Sequence, residues 1–283
     1  MPTRGILRAA SGLRRFRVRR VAPSPRLAPY AEHHWILTWD LRGREPHRQR
    51  VLTHPAVNMS FTTGGRARVV GVVRDVFTET VSGAGRVVGV RFLPGGFRPF
   101  LDGPVAALTD RYVPVEEIFG PRARAVADAI IAEPDADAAV ALLEGFLLER
   151  APATPDPAVA EIAAVVARIA ADPSLNRVDA LAAELGVGTR SLQRRFAEYV
   201  GVGPKWVIRR YRMHEAAERA ASVDGVDWAA VAAELGYADQ SHFVRDFTAT
   251  VGTPPARYAR TCAADADADA DEDEDEVAGT IGR

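Results

Sequence analysis

Cysteine is almost absent from this chain of 283 residues: Cys262 is the only one. One thiol makes no internal disulfide and no cysteine-based zinc site, and a reducing compartment is the simplest reading. Lysine is equally scarce, with Lys205 alone among 36 basic residues. That bias toward Arg, beside abundant Ala, Val and Asp, reads as GC-rich coding rather than function. No apolar run is long enough to cross a bilayer. Arg8 interrupts the apolar pairs Ile6-Leu7 and Ala9-Ala10, so the N-terminal stretch lacks the core of a signal peptide. The expectation is a cytoplasmic protein with no membrane partner. A Gly-rich phosphate loop, a serine nucleophile motif and a Cys/His pair are missing too.

Excess charge is also lacking, since the net charge is -1. That value averages unlike parts. Residues 265 to 276 hold nine Asp and Glu and no base, and without them the balance is +8. The first twenty residues hold seven Arg and no acid. Between 156 and 260 there are thirteen of each sign, so a basic surface there must come from clustering.

What is present divides the chain. Residues 1 to 22 read as a flexible basic arm. Residues 23 to 150 read as a β-rich domain that ends in helices. Trp35–Trp39, Val57–Phe61, Arg68–Val73, Val76–Val81 and Arg86–Leu93 are short, β-branched or aromatic, and separated by turn residues. That rhythm fits a compact antiparallel sheet or barrel. Helical patterns follow near 121 to 132 and 136 to 149, the second with Ala138, Leu142, Leu143, Phe146 and Leu147 on one face. Three prolines in residues 151 to 158 mark a semi-stiff linker. Residues 159 to 261 are helical throughout, and 262 to 283 read as a disordered acidic tail. The fold class is α+β, with a β-rich N-terminal domain and an all-α C-terminal domain.

The all-α part contains a duplication. Leu181-Ala-Ala-Glu-Leu-Gly186 recurs as Val231-Ala-Ala-Glu-Leu-Gly236. Each copy leads into a second helical pattern, Ser191–Phe196 in one and Ser241–Phe247 in the other. Helix, short glycine turn and polar second helix make a helix-turn-helix. Leu181, Leu185, Leu192 and Phe196 give the first unit its apolar seam, with Val231, Leu235, Phe243 and Phe247 in the second. Asp227 is placed to cap the helix at Trp228; the matching Arg177 is a poor cap, beside Asn176.

The second helices turn other residues away from those seams. In the first unit these are Arg190, Gln193 and Arg194, with Thr189 beside them; in the second, Gln240, Ser241, His242, Val244 and Arg245. Arg grips guanine and Gln grips adenine in two-pronged fashion, and Val meets the thymine methyl. A plain solvated helix face carries Arg and Gln too, but two such faces in one framework favour DNA. Between the units, Pro204–Ala220 reads as a joining helix with a Lys205, Arg209, Arg210 and Arg212 cluster for phosphates or salt bridges. It would hold two readers about 34 Å apart, one turn of DNA.

Residues 159 to 260 resemble the DNA-binding domain of the AraC/XylS family of bacterial transcription regulators. The segment Gly236–Phe247 with Val251-Gly-Thr-Pro-Pro255 carries the resemblance. It implies a regulator of the activator type, with double-stranded DNA, RNA polymerase, a small-molecule effector and a second copy of the chain as partners, and no cofactor. Matched by position, base reading falls on Arg190, Gln193, Arg194, Gln240, Ser241, His242 and Arg245. Residues 30 to 120, through Gly89–Gly96, resemble an uncharacterised domain of some regulators of this kind. For such sensor domains the family implies a cupin-like barrel.

A different class stays open: a DNA-binding protein whose N-terminal domain is a metal-dependent cupin-like enzyme. His33, His34, His47 and His54 fall within 22 residues. The His-x-His pattern with a nearby Glu is missing, however, and neighbours on a strand point to opposite faces. Alkyl-transfer DNA-repair regulators share the C-terminal domain but need several cysteines. The expectation is therefore no enzyme, no metal and no catalytic residue. Trp35, Trp39, Phe61, Phe77 and Phe92 read as core first and effector pocket second.

Overall fold

The two longest strands pair because glycines on one make room for tryptophans on the other. In this computed structural model, which describes residues 4–222 and 225–267, β2 (Ala31–Leu41) runs antiparallel to β7 (Gly83–Phe92). Trp35 faces Gly89 and Trp39 faces Gly85. A Cβ at either glycine would lie within 2.5 Å of the facing indole. The half-buried indoles thus lie over those glycines, while Phe61 and Phe92 are buried in the core.

The main sheet has the order β1-β2-β7-β4-β5-β8, all antiparallel. Its other members are β1 (Arg17–Val21), β4 (Asn58–Thr62), β5 (Arg66–Val70) and β8 (Tyr112–Pro114). Gly64 and Gly65, with φ of 94° and 91°, turn β4 into β5, a backbone that other residues adopt only with strain. A separate ribbon pairs β3 (His47–Leu52) with β6 (Val76–Val81). The described strands therefore form two sheets. One face of the main sheet packs on α2 (Val115–Phe119), α3 (Arg122–Ala132) and α4 (Ala136–Leu148), with Met59, Val90, Phe92, Ile130 and Leu143 at the centre. Leu142, expected on the buried face of α4, is instead 42% exposed.

The first 22 residues are not a flexible arm from Arg4 onward. Ile6 bridges Val51, Leu7 and Leu52 donate to Arg50 and Gly5, and β1 joins β2 along its whole length. A short helix α1 (Ala9–Leu13) lies between them. Buried Leu7 and Phe16 anchor the segment, and Glu215, Glu218 and Asp265 neutralise Arg4 and Arg8. Arginines dominate this stretch of sequence, but its apolar anchors and acids distant in the chain hold it in place.

Beyond the prolines, Asp156 caps α5 (Pro157–Ala171), with proline in the first turn. Helices α6 (Val178–Glu184) and α7 (Thr189–Tyr199) form the first unit. Then come α8 (Pro204–Ser222), α9 (Trp228–Glu234) and α10 (Gln240–Val251), and a last helix covers residues 255–267. This corrects the tail: residues 262–267 are helical, with Cys262 and Asp265 buried. Residues 268–283, the rest of the acidic stretch, lie outside the described residues.

Helix α8 belongs to two cores at once. Val207, Ile208 and Tyr211 pack with the first unit, and Met213, Ala216, Ala217 and Ala220 with the second. The N-terminal domain enters both: Val72 joins the first core, Leu7 and Leu52 the second.

Candidate nucleic-acid interface

The repeated Ala-Ala-Glu-Leu-Gly string builds the same turn twice. In the first copy Gly186 has φ of 64°, its N–H donates to Ala183, and the N–H of Val187 donates to Ala182. In the second, Gly236 has φ of 76° and donates to Ala233, while Tyr237 donates to Ala232. These paired bonds close the last carbonyls of a helix and reverse the chain. The seam residues fall inside, with Leu181, Leu192, Phe196, Phe243 and Phe247 each no more than 2% exposed.

That packing turns the other faces of α7 and α10 outward. Arg190, Gln193 and Arg194 are exposed, as are Gln240, Ser241, His242 and Arg245. None of these seven side chains makes a hydrogen bond or ion pair among the described residues. His242 lies edge-on to Tyr237 at 5.2 Å between ring centres. Thr189 is exposed beside them, and Val244 is half-buried. The helix starts differ between the units. Asp239 caps α10 by accepting from the N–H of His242, and Asp227 caps α9. Arg177 and Gly188 stand at the same points of the first unit and offer no side-chain bond. Asn176 does not supply the missing cap; its side chain lies against Gly236 of the other unit.

The basic cluster on α8 is mostly structural. Arg210 is 3% exposed, donates to the carbonyl of Arg74 and lies 4.5 Å over Trp206. Burial lowers its pKa to about 10. Arg212 is equally buried and donates to the carbonyls of Asp172 and Leu175. Arg209 pairs with buried Asp246, which also accepts from Tyr237 at 2.7 Å. Burial and that bond raise the Tyr237 pKa. Only Lys205 stays exposed with no partner among the described residues. The helical spacing of the cluster sent two arginines inward, where carbonyl oxygens meet them. The expectation of phosphate contacts fails for Arg210 and Arg212.

The histidines of the N-terminal domain do separate jobs. His34 is buried and lies 2.9 Å from Glu144. His47 lies 3.2 Å from Gln49. His54 stacks on His214 of α8 at 4.4 Å between ring centres. Among the described residues no three potential ligands come together, and no helix is long and apolar enough to cross a membrane.

A tandem helix-turn-helix with two unspent polar faces is the architecture of a DNA-binding transcription regulator. Residues 181–261 match a helix-turn-helix domain, and residues 19–114 match a domain of unknown function (DUF6597). Residues 181–261 therefore carry a helix-turn-helix domain of the AraC type. No curated protein matches the chain. Among solved structures it is similar to an apo variant of ToxT from Vibrio cholerae, with 13% identity, 80% of this chain and 96% of that one covered, and a TM-score of 0.41. Wild-type ToxT with bound unsaturated fatty acid gives 12%, 87%, 95% and 0.38. The C-terminal domain of AraT, a response regulator from Geobacillus stearothermophilus, gives 25%, 34%, 84% and 0.31.

Proposed function

We propose that the chain is a sequence-specific transcription regulator that reads DNA through Arg190, Gln193 and Arg194 of α7 and Gln240, Ser241, His242 and Arg245 of α10. The carrying observation is the seven outward side chains with no hydrogen bond or ion pair inside the described protein. Arginine and glutamine so placed have their donor forks available for base edges. Because the two readers differ, one protomer selects an asymmetric site.

The same reading makes the N-terminal domain a sensor of a small-molecule effector. It touches the first unit through Arg98–Glu198 and Thr109 to the Gly201 carbonyl, and the second through Arg50 to the Val251 carbonyl. A cavity of about 430 Å³ opens in the seam, with Arg20, Glu32 and Arg91 on one side and Val166, Ala167 and Tyr211 on the other. A ligand there would act on the angle between the readers. A homodimer would bring four reading helices to the promoter, and contact with RNA polymerase would follow from binding there.

Selection of bound DNA from a random pool tests the core of this reading. Arg194→Ala and Arg245→Ala should each cost about 1–3 kcal/mol on the selected site and relax base preference at different positions. Unchanged affinity and preference in both variants would sink it.

A further inference from the structure

Beside the second unit lies a cleft of about 390 Å³ whose charged lining is wholly cationic. Arg48 and Arg50 come from β3, Arg8 from the N-terminal segment, and Arg257 from the last helix. Ser11, His47, Gln49, Thr253, Tyr258 and Thr261 complete the polar surface, and no carboxylate is among the lining residues. Two of the arginines have work inside the protein. Arg8 is held by Asp265 in a two-pronged pair at 2.7 Å. Arg50 spends one N–H on the Val251 carbonyl and so closes the end of α10. Its remaining N–H groups have no hydrogen-bond partner among the described residues. Arg48 and Arg257 are exposed, and their side chains make no bond or ion pair among the described residues. Arg48, Arg50 and Arg257 line one cleft with no carboxylate bonded to any of them among the described residues, and an anion there would relieve their mutual repulsion.

Position then selects the anion. The cleft contains Gly252 and Thr253, which directly follow α10. Gly252 lies seven residues beyond Arg245, about 10 Å along the helix axis. A major groove is about 12 Å wide with phosphates along both rims. A duplex that takes Arg245 in its groove therefore brings a sugar-phosphate rim within reach of the cleft.

We propose that this cleft is a phosphate-binding site for the DNA backbone flanking the sequence read by α10, with Arg48, Arg50 and Arg257 as its donors. The inference rests on the reading of α10 as a DNA reader. It adds that the N-terminal domain, through β3, is itself part of the DNA-binding surface. Contacts of this kind position a protein on the duplex and carry no sequence information. Effector-driven movement of the ribbon would then change DNA affinity directly.

The test uses the full chain, its selected DNA, and the double variant Arg48→Gln/Arg257→Gln. Both residues are exposed, so thermal unfolding should match wild type and confirm an intact fold. Affinity should fall about tenfold at 0.1 M salt, equally for all sequences. The slope of log affinity against log salt should flatten by about 1 to 2, since each phosphate contact contributes about 0.9. Calorimetry with inorganic pyrophosphate on DNA-free protein separates the sources. If pyrophosphate binds wild type but not the variant, and the DNA slope is unchanged, the site serves a free phosphate compound and the proposal is overturned. An unchanged slope without pyrophosphate binding, or altered base preference, overturns it as well. Failure of the wild type to select any DNA would instead strike the proposed function.

Discussion

At equivalent positions of their second helices the two units carry opposite charges: Arg195 in α7 and Asp246 in α10. Each ties its helix to another one, and the two ties are built unlike. Arg195 reaches Glu161 of α5 across a surface where both side chains are at least a third exposed. Asp246 is 9% exposed and takes both Arg209 of α8 and Tyr237 of the turn. The duplication therefore preserves the turn and the seam but not the mounting. The first unit is held by its apolar packing with an optional surface pair. The second depends on a polar node centred on a buried carboxylate, with exposed Arg209 and half-buried Tyr237 around it.

The sharpest way to break this comparison is to remove each charge. Asp246→Ala leaves the Tyr237 hydroxyl without its acceptor, while exposed Arg209 can turn to water, and the loss should be about 2 kcal/mol in urea unfolding. Arg195→Ala should cost less than about 0.5 kcal/mol, as exposed pairs do. Equal losses would mean that the two mountings are equivalent after all.

Acid should separate the units next. His214 is 1% exposed at the seam between α8 and the N-terminal domain, stacked on His54 and 3.3 Å from the Thr53 carbonyl. Burial, helped by Arg210, Arg4 and Arg91, pushes its pKa down to about 3. His54 is pushed well below its usual value by burial, His214 and Arg91, against smaller opposing effects of the Arg4 carbonyl and Glu32. A folded pKa below the unfolded one means that the unfolded chain binds more protons. Stability is thus full above pH 6.5 and is lost as pH falls from 6.5 toward 3. His214 alone should account for about 2 kcal/mol by pH 5. The ties between the N-terminal domain and the first unit, Arg98–Glu198 and Thr109–Gly201, hold no histidine. Amide exchange at pH 5 should therefore rise around α8 and the second unit before it rises in α7. Uniform exchange, or stability that is flat from pH 7.5 to 5, would contradict this.

A small gain sharpens the contrast between helix starts. Gly188 sits at the start of α7 with φ of -72°, and a Cβ there meets nothing within 4 Å. Gly188→Ser should give the first unit the cap that Asp239 gives the second, raising stability by a few tenths of a kcal/mol. A fall in melting temperature would show that the starts differ for another reason.

Legibility followed the range of the forces involved. The turns, the seams and the outward readers follow from local spacing, so the repeated string and its neighbours display them. Helix α8 showed its apolar residues equally well, yet Arg210 and Arg212 looked like phosphate ligands. Their partners are backbone carbonyls of Arg74, Asp172 and Leu175, which no composition reveals. The strands β1 and β3 were hidden by their arginines, and the N-terminal segment by acids more than 200 residues away. Charge patterns in sequence do not say which charges are already paired. The free ones, on α7, α10 and around the cleft, became visible only once the paired ones were known.

The packing of Leu7 and Cys262 into one core has a consequence for how the protein is made. Arg8 and Asp265, bonded at 2.7 Å, are 257 residues apart in the chain. A ribosome releases the first of these long before the second exists. The first unit has most of its core in hand while synthesis continues, but the second must wait for the last described helix to emerge. A growing chain therefore carries one finished unit and one unfinished unit. If α7 and α10 read DNA together, full recognition is withheld until the last described helix has emerged.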